Sequence, residues 1–242
     1  MATLVGQPGE GAALRGFVEG DGPRTIVGRF DARRWIRSAA GGQRVAAELA
    51  TLPDDYMVFN DFRPAPEDTG RSARSIDHIV FGPRGVFVIE TRNSARSRIG
   101  AASNDIWNRR AVRQARSKAM DLQLELTAWS GGILSDLFVV PIVVYTREGT
   151  RVVQLREGAV SVVPLGVLKL QILGLRGSPI GAYERSCVAE VLFNQLEASA
   201  RVRFEPAMAL YRRRVQEEPP DVEVAVAEKP AAARRGELAT AR

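Results

Sequence analysis

Two β-rich runs, residues 75–81 and 86–91, flank the four residues Gly82-Pro83-Arg84-Gly85. Val, Ile and Phe suit a pleated, half-buried surface, and a Gly/Pro turn between two such runs predicts an antiparallel hairpin. The turn also fixes the register. Centred on Pro83 and Arg84, it pairs residues whose numbers sum to 167, so that Phe81 meets Val86, Ile79 meets Val88 and Asp77 meets Glu90. Directly paired side chains share a face, with Cβ atoms roughly 4.5–5.5 Å apart. Arg92 follows Glu90 by two residues and points to the same face. The open end of the hairpin is therefore expected to gather two carboxylates and a guanidinium.

The flanking segments read as alternating helices and strands. Residues 1–30 are rich in Gly and Pro and predict a flexible arm, with a strand near residues 25–27. Asp31 is placed to cap a helix beginning at Ala32 or Arg33. Gly41-Gly42 is expected to interrupt it, after which it resumes with Val45, Leu49 and Leu52 on one face. A strand over residues 56–60 precedes the hairpin, and a polar, basic loop over residues 93–104 follows it. Residues 109–129 predict a long helix with Val112, Ala115, Ala119, Leu122, Leu126 and Trp129 as its apolar seam. Residues 138–145 are almost continuously apolar, which predicts a central strand. Shorter strands at 151–155 and 159–163 lead to helices over 164–173 and 183–198. The pattern predicts one α/β domain over residues 31–200, a mixed β-sheet with a central hairpin flanked by helices. A basic connector over 201–214 and a Pro/Ala/Glu-rich disordered tail over 215–242 are expected to follow.

Composition narrows the chemistry. The longest apolar run, residues 137–145, contains Pro141 and is far too short to span a bilayer, so no membrane association is expected. The start lacks a basic segment followed by an apolar one, and with a single cysteine, Cys187, the expected location is cytoplasmic. Cys187 lies among apolar residues and reads as a buried structural thiol. One histidine, His78, excludes histidine-cluster metal sites, and because it directly follows Asp77 on a strand it points away from that carboxylate. The glycine-rich start lacks a Gly-Lys-Ser/Thr ending and does not read as a nucleotide loop.

The net charge is +6, and its distribution is uneven. Between Arg84 and Lys118 stand nine Lys/Arg and two acids. Such a stripe suits a polyanion, with Arg84, Arg96, Arg98, Arg109, Arg110, Arg113, Arg116 and Lys118 as candidate phosphate contacts. A solvated surface accounts for the same charges. No base-reading motif is visible, so binding to DNA would be mainly through phosphates.

Paired carboxylates repel unless solvated, bridged by a cation or shifted in pKa. Oxygen ligands of this kind suit Mg²⁺ or Mn²⁺, which keep several waters and recruit substrate phosphate. A bound ion polarises a phosphodiester and acidifies a water, while a neighbouring cation stabilises charge developing on phosphate. The alternative is a solvated cross-strand acid pair with Arg92 as a simple ion-pair partner.

The stretch SIDHIVFGPRGVFVIETRN resembles the signature of the nuclease-related domain (NERD) family, a branch of the PD-(D/E)xK nuclease superfamily. The resemblance covers roughly residues 41–145. It takes in GGQRVAAELATL, VFNDF, Trp107, the helix bearing Gln114 and FVVPIVVY. It implies a restriction-endonuclease-like core with a four-stranded mixed sheet, and a metal site at Asp77 and Glu90. The family's lysine position falls on Arg92 and its helix glutamine on Gln114, which could position the metal water or contact DNA. Where the family shows Gly-Glu in the first helix, this chain has Gly42-Gln43, leaving Gln43 as a weaker third ligand. Arginine stays charged and cannot serve as a base. Both departures lean away from efficient hydrolysis. The resemblance thus implies either a Mg²⁺- or Mn²⁺-dependent DNA endonuclease or nickase, or an inactive nucleic-acid-binding or protein-interaction module on the same fold.

Overall fold

The computed structural model describes residues 2–5, 29–63, 75–93, 98–99, 106–148, 150–152, 155–157, 159–174 and 179–217. Its centre is the hairpin of β3 (Ile76–Gly82) and β4 (Gly85–Arg92), closed by the two-residue turn at Pro83 and Arg84. The register has Gly82 opposite Gly85, Phe81 opposite Val86 and His78 opposite Ile89. Gly82 has no substitute here, because a Cβ would fall 2.5 Å from the Tyr56 ring. On one side β2 (Met57–Phe62) pairs antiparallel with β3. On the other, β6 (Val139–Tyr145) runs parallel to β4 and is buried along its whole length. Pro141 lies one residue before β6 begins its ladder with β9 (Val160–Pro164), so its missing N–H interrupts nothing on that side.

These four strands are the mixed core that the resemblance implied, and three more extend it. β1 (Thr3–Val5) adds in parallel to β2, β9 in parallel to β6, and β8 (Leu155–Glu157) closes the far edge antiparallel to β9. The seven-stranded order is β1-β2-β3-β4-β6-β9-β8. Residues 3–5, expected as part of a flexible arm, are thus a sheet edge, while residues 25–27 lie outside the described residues. Within the expected loop after β4, β5 (Arg98–Ile99) pairs with β7 (Arg151–Val152) as a separate two-stranded ribbon.

Helices cover both faces. α1 (Arg29–Leu49) and α3 (Leu168–Gly174) lie on one, packing Val45, Leu49, Leu168 and Ile172 against Val58, Val80, Phe87, Ile89, Ile142 and Val144. α1 is not interrupted at Gly41-Gly42. A glycine costs a helix about 1 kcal/mol, but Gly41 meets the sheet so closely that a Cβ would fall 2.9 Å from Asn93 Cβ. Tertiary packing overrides the propensity there. On the opposite face α2 (Ile106–Trp129), α4 (Ala182–Asn194) and α5 (Ala198–Glu217) bury Ala119, Leu122, Leu126, Val188, Leu192, Met208 and Tyr211 over Phe81, Val86, Val88 and Val139. Residues 201–214, expected as a connector, therefore belong to a helix of the fold. Arg212 clamps it to α4 through Glu190 at 2.5 Å. No helix among the described residues is long and apolar enough to cross a membrane.

Candidate functional site

The site forms where the β3–β4 hairpin opens and α2 crosses it. Extending the observed register by one pair sets Asp77 beside Glu90. Lys118 Nζ lies 2.5 Å from Glu90 Oε2 and 3.7 Å from Asp77 Oδ1. One ammonium within reach of both carboxylates places them on the same face, the one covered by α2. The remaining oxygens are also matched. The Thr91 N–H donates to Asp77 Oδ2 at 2.8 Å, and Arg92 Nη2 lies 3.0 Å from Glu90 Oε1. Arg92 also donates to Gln114 Oε1. Gln114 and Lys118 stand one turn apart on α2, so a single flank of that helix supplies both contacts.

Solvent reaches the cluster from one side. The side chains of Glu90 and Lys118 are 4% and 11% exposed, those of Asp77 and Arg92 34% and 29%. Burial, and then the adjacent Asp77 charge, push the Glu90 carboxyl above the ordinary range, against the pull of Lys118 and Arg92. A cation on each of its oxygens is the arrangement that lets a sheltered carboxylate stay charged. The donor chemistry suits a hard divalent ion, since Asp77 and Glu90 present oxygens at one place. In this arrangement Lys118 stands between them. Among the described residues no three Asp, Glu, His or Cys side chains converge on one ion.

The structure sorts the residues that the sequence singled out. Asp77, Glu90, Arg92 and Gln114 come together. Lys118, expected among the phosphate contacts, lies against the acid pair. Its signal in the sequence was its position four residues after Gln114, on the same helical flank. Gln43 is exposed on α1, two residues after Gly41, which lies against Thr91 and Asn93 at the end of β4. Arg109, Arg110, Arg113 and Arg116 are exposed on the first half of α2. Arg84 sits in the hairpin turn, six residues from Glu90 along β4. At about 3.3 Å per residue that is roughly 20 Å from the cluster. Arg96 lies outside the described residues, and Arg98 stands in β5.

His78 faces away from Asp77, as strand alternation requires. It is fully buried, its Nδ1 is 2.7 Å from Asn60 Oδ1, and its Nε2 has no hydrogen-bond partner among the described residues. Burial pushes its pKa down to about 4, so the ring is neutral at pH 7. Cys187 is half-buried against the core, and burial raises its thiol above the ordinary range, away from a reactive thiolate.

The nuclease-related domain family matches the chain over residues 37–146. That span includes the whole of the hairpin and every residue of the cluster. No curated protein and no solved structure matches the chain.

Proposed function

We propose that this chain, carrying a nuclease-related domain at residues 37–146, is a DNA-directed phosphodiesterase whose reacting centre is the Asp77–Glu90–Lys118 cluster. The observation that carries the reading is the meeting of two carboxylates and an ammonium at one partly open end of the sheet. Asp77 and Glu90 would hold Mg²⁺ or Mn²⁺. Bound there, the ion supplies Lewis acidity and an acidified water. Arg92 holds a fixed positive charge at the mouth of the site, suited to charge developing on phosphate. Gln114 orients the Arg92 guanidinium by accepting one of its N–H groups. The exposed arginines of α2 would hold the phosphodiester backbone without reading bases.

A second reading is a binding module that does not cut. It is favoured by the internal donor or ammonium facing each of the four carboxylate oxygens, and by the neutral amide of Gln43 where the family has a carboxylate. Nicking of supercoiled plasmid in Mn²⁺ separates the two readings. Cleavage by the wild type that is lost in Asp77→Asn, with DNA affinity kept, supports the nuclease. Binding without cleavage in either Mg²⁺ or Mn²⁺ supports the module.

A further inference from the structure

Lys118, which the sequence suggested only as a phosphate contact, stands at the acid pair, and that position has a consequence for metal binding. With Lys118 and Arg92 in place, two negative charges face two positive ones, and the cluster is neutral. Lys118 and Glu90 are almost closed to solvent, so an uncompensated charge here is costly. Adding a divalent ion while Lys118 stays would leave two excess positive charges in that sheltered space. Moving the ammonium out removes one of them, and a phosphate arriving at the ion removes the other. The lysine stem is long and flexible enough to turn its ammonium outward. The same flank of α2 carries exposed Arg110 two turns earlier, along the side where a phosphate backbone would lie.

We propose that Lys118 and a divalent cation compete for the position between Asp77 and Glu90, so that a bound phosphate backbone strengthens metal binding by neutralising the charge that the exchange leaves. The inference rests on the metal-site reading above. It makes Lys118 an interlock: the folded protein satisfies its acid pair from within until ion and polyanion arrive together.

Calorimetric titration with Mn²⁺ tests this on the full chain, without DNA and with a duplex carrying non-hydrolysable phosphorothioate linkages. Wild type is expected to bind Mn²⁺ weakly alone and at least tenfold more tightly with the duplex. Lys118→Met is expected to bind Mn²⁺ alone at least tenfold more tightly than wild type and to lose most of the duplex effect. A second measurement needs no substitution. The chain has three lysines, Lys118, Lys169 and Lys229, so amine labelling read by mass spectrometry resolves each. Mn²⁺ with duplex should increase labelling of Lys118 and leave that of Lys169 unchanged. Equal Mn²⁺ affinity in wild type and Lys118→Met, or Lys118 labelling unmoved by a bound ion, overturns the competition and leaves the metal site standing. No Mn²⁺ binding by either protein overturns both.

Discussion

The Asp77–Glu90 pairing follows from the Gly82-Pro83-Arg84-Gly85 turn, because a two-residue loop fixes the register and the strand period fixes the face. The contact of Lys118 with Glu90 was not foreseen because it depends on how α2 docks. That docking is set by Ala115, Ala119 and Leu122, whose packing partners the sequence does not announce. Gln43 was assigned by resemblance alone, and it stands exposed on α1, two residues from the Gly41 that meets Thr91. His78 carries a pH prediction. Its folded pKa of about 4 lies below its ordinary 6.5. Below pH 6.5 the unfolded chain takes up a proton that the folded chain refuses. Stability is therefore complete above that value and falls by about 1.4 kcal/mol per unit as pH drops towards 4. Urea midpoints at pH 7.0, 6.0 and 5.5 should fall more steeply in wild type than in His78→Gln, because the raised Glu90 carboxyl acts in the opposite direction in both. Parallel profiles would mean that the imidazole is not held neutral by burial.

Among the elements, α2 has three tasks on three sides. Its inner seam closes the core, the flank bearing Gln114 and Lys118 completes the site, and its outer face carries Arg113 and Arg116. If that face holds a phosphate backbone, the salt slope of DNA affinity should lose ~0.9 for each contact removed. Arg113→Gln with Arg116→Gln should therefore flatten the slope by up to about 1.8. Arg84→Gln, at the far end of the hairpin, should leave it unchanged. Equal effects from both changes would indicate a diffuse basic surface with no preferred path past the site. The strands β2, β3, β4, β6 and β9 were legible because apolar runs between turn residues leave few alternatives, whereas β1 and β5, three and two residues long, were not. α1 was misread at Gly41-Gly42, where close approach to Asn93 makes glycine a packing residue inside a helix rather than a break.

At the scale of the whole molecule, the nuclease-related match ends at residue 146, but the fold does not. β9, α4 and α5 complete the sheet and cover the face that holds the acid pair. The arginine-rich composition of residues 201–214 hid two anchors, Met208 and Tyr211, three positions apart and fully buried. Tyr211 stacks edge-on to Phe81, two residues from Ile79 and four from Asp77 on the same strand face. Tyr211→Ala should cost about 3–5 kcal/mol, as for other large aromatic truncations, and a urea midpoint near that of wild type would show that α5 is dispensable. We infer that the acid pair is a reacting centre. Its most direct test is the single-turnover rate of DNA cleavage in Mn²⁺ by wild type and Glu90→Gln, with DNA affinity measured on the same samples. Wild type is expected to cleave, Glu90→Gln to be slower by at least ~10², in line with losing a group that acts on the transition state, and affinity to change little. Equal rates in the two proteins, or no cleavage by the wild type in Mg²⁺ or Mn²⁺, would contradict it.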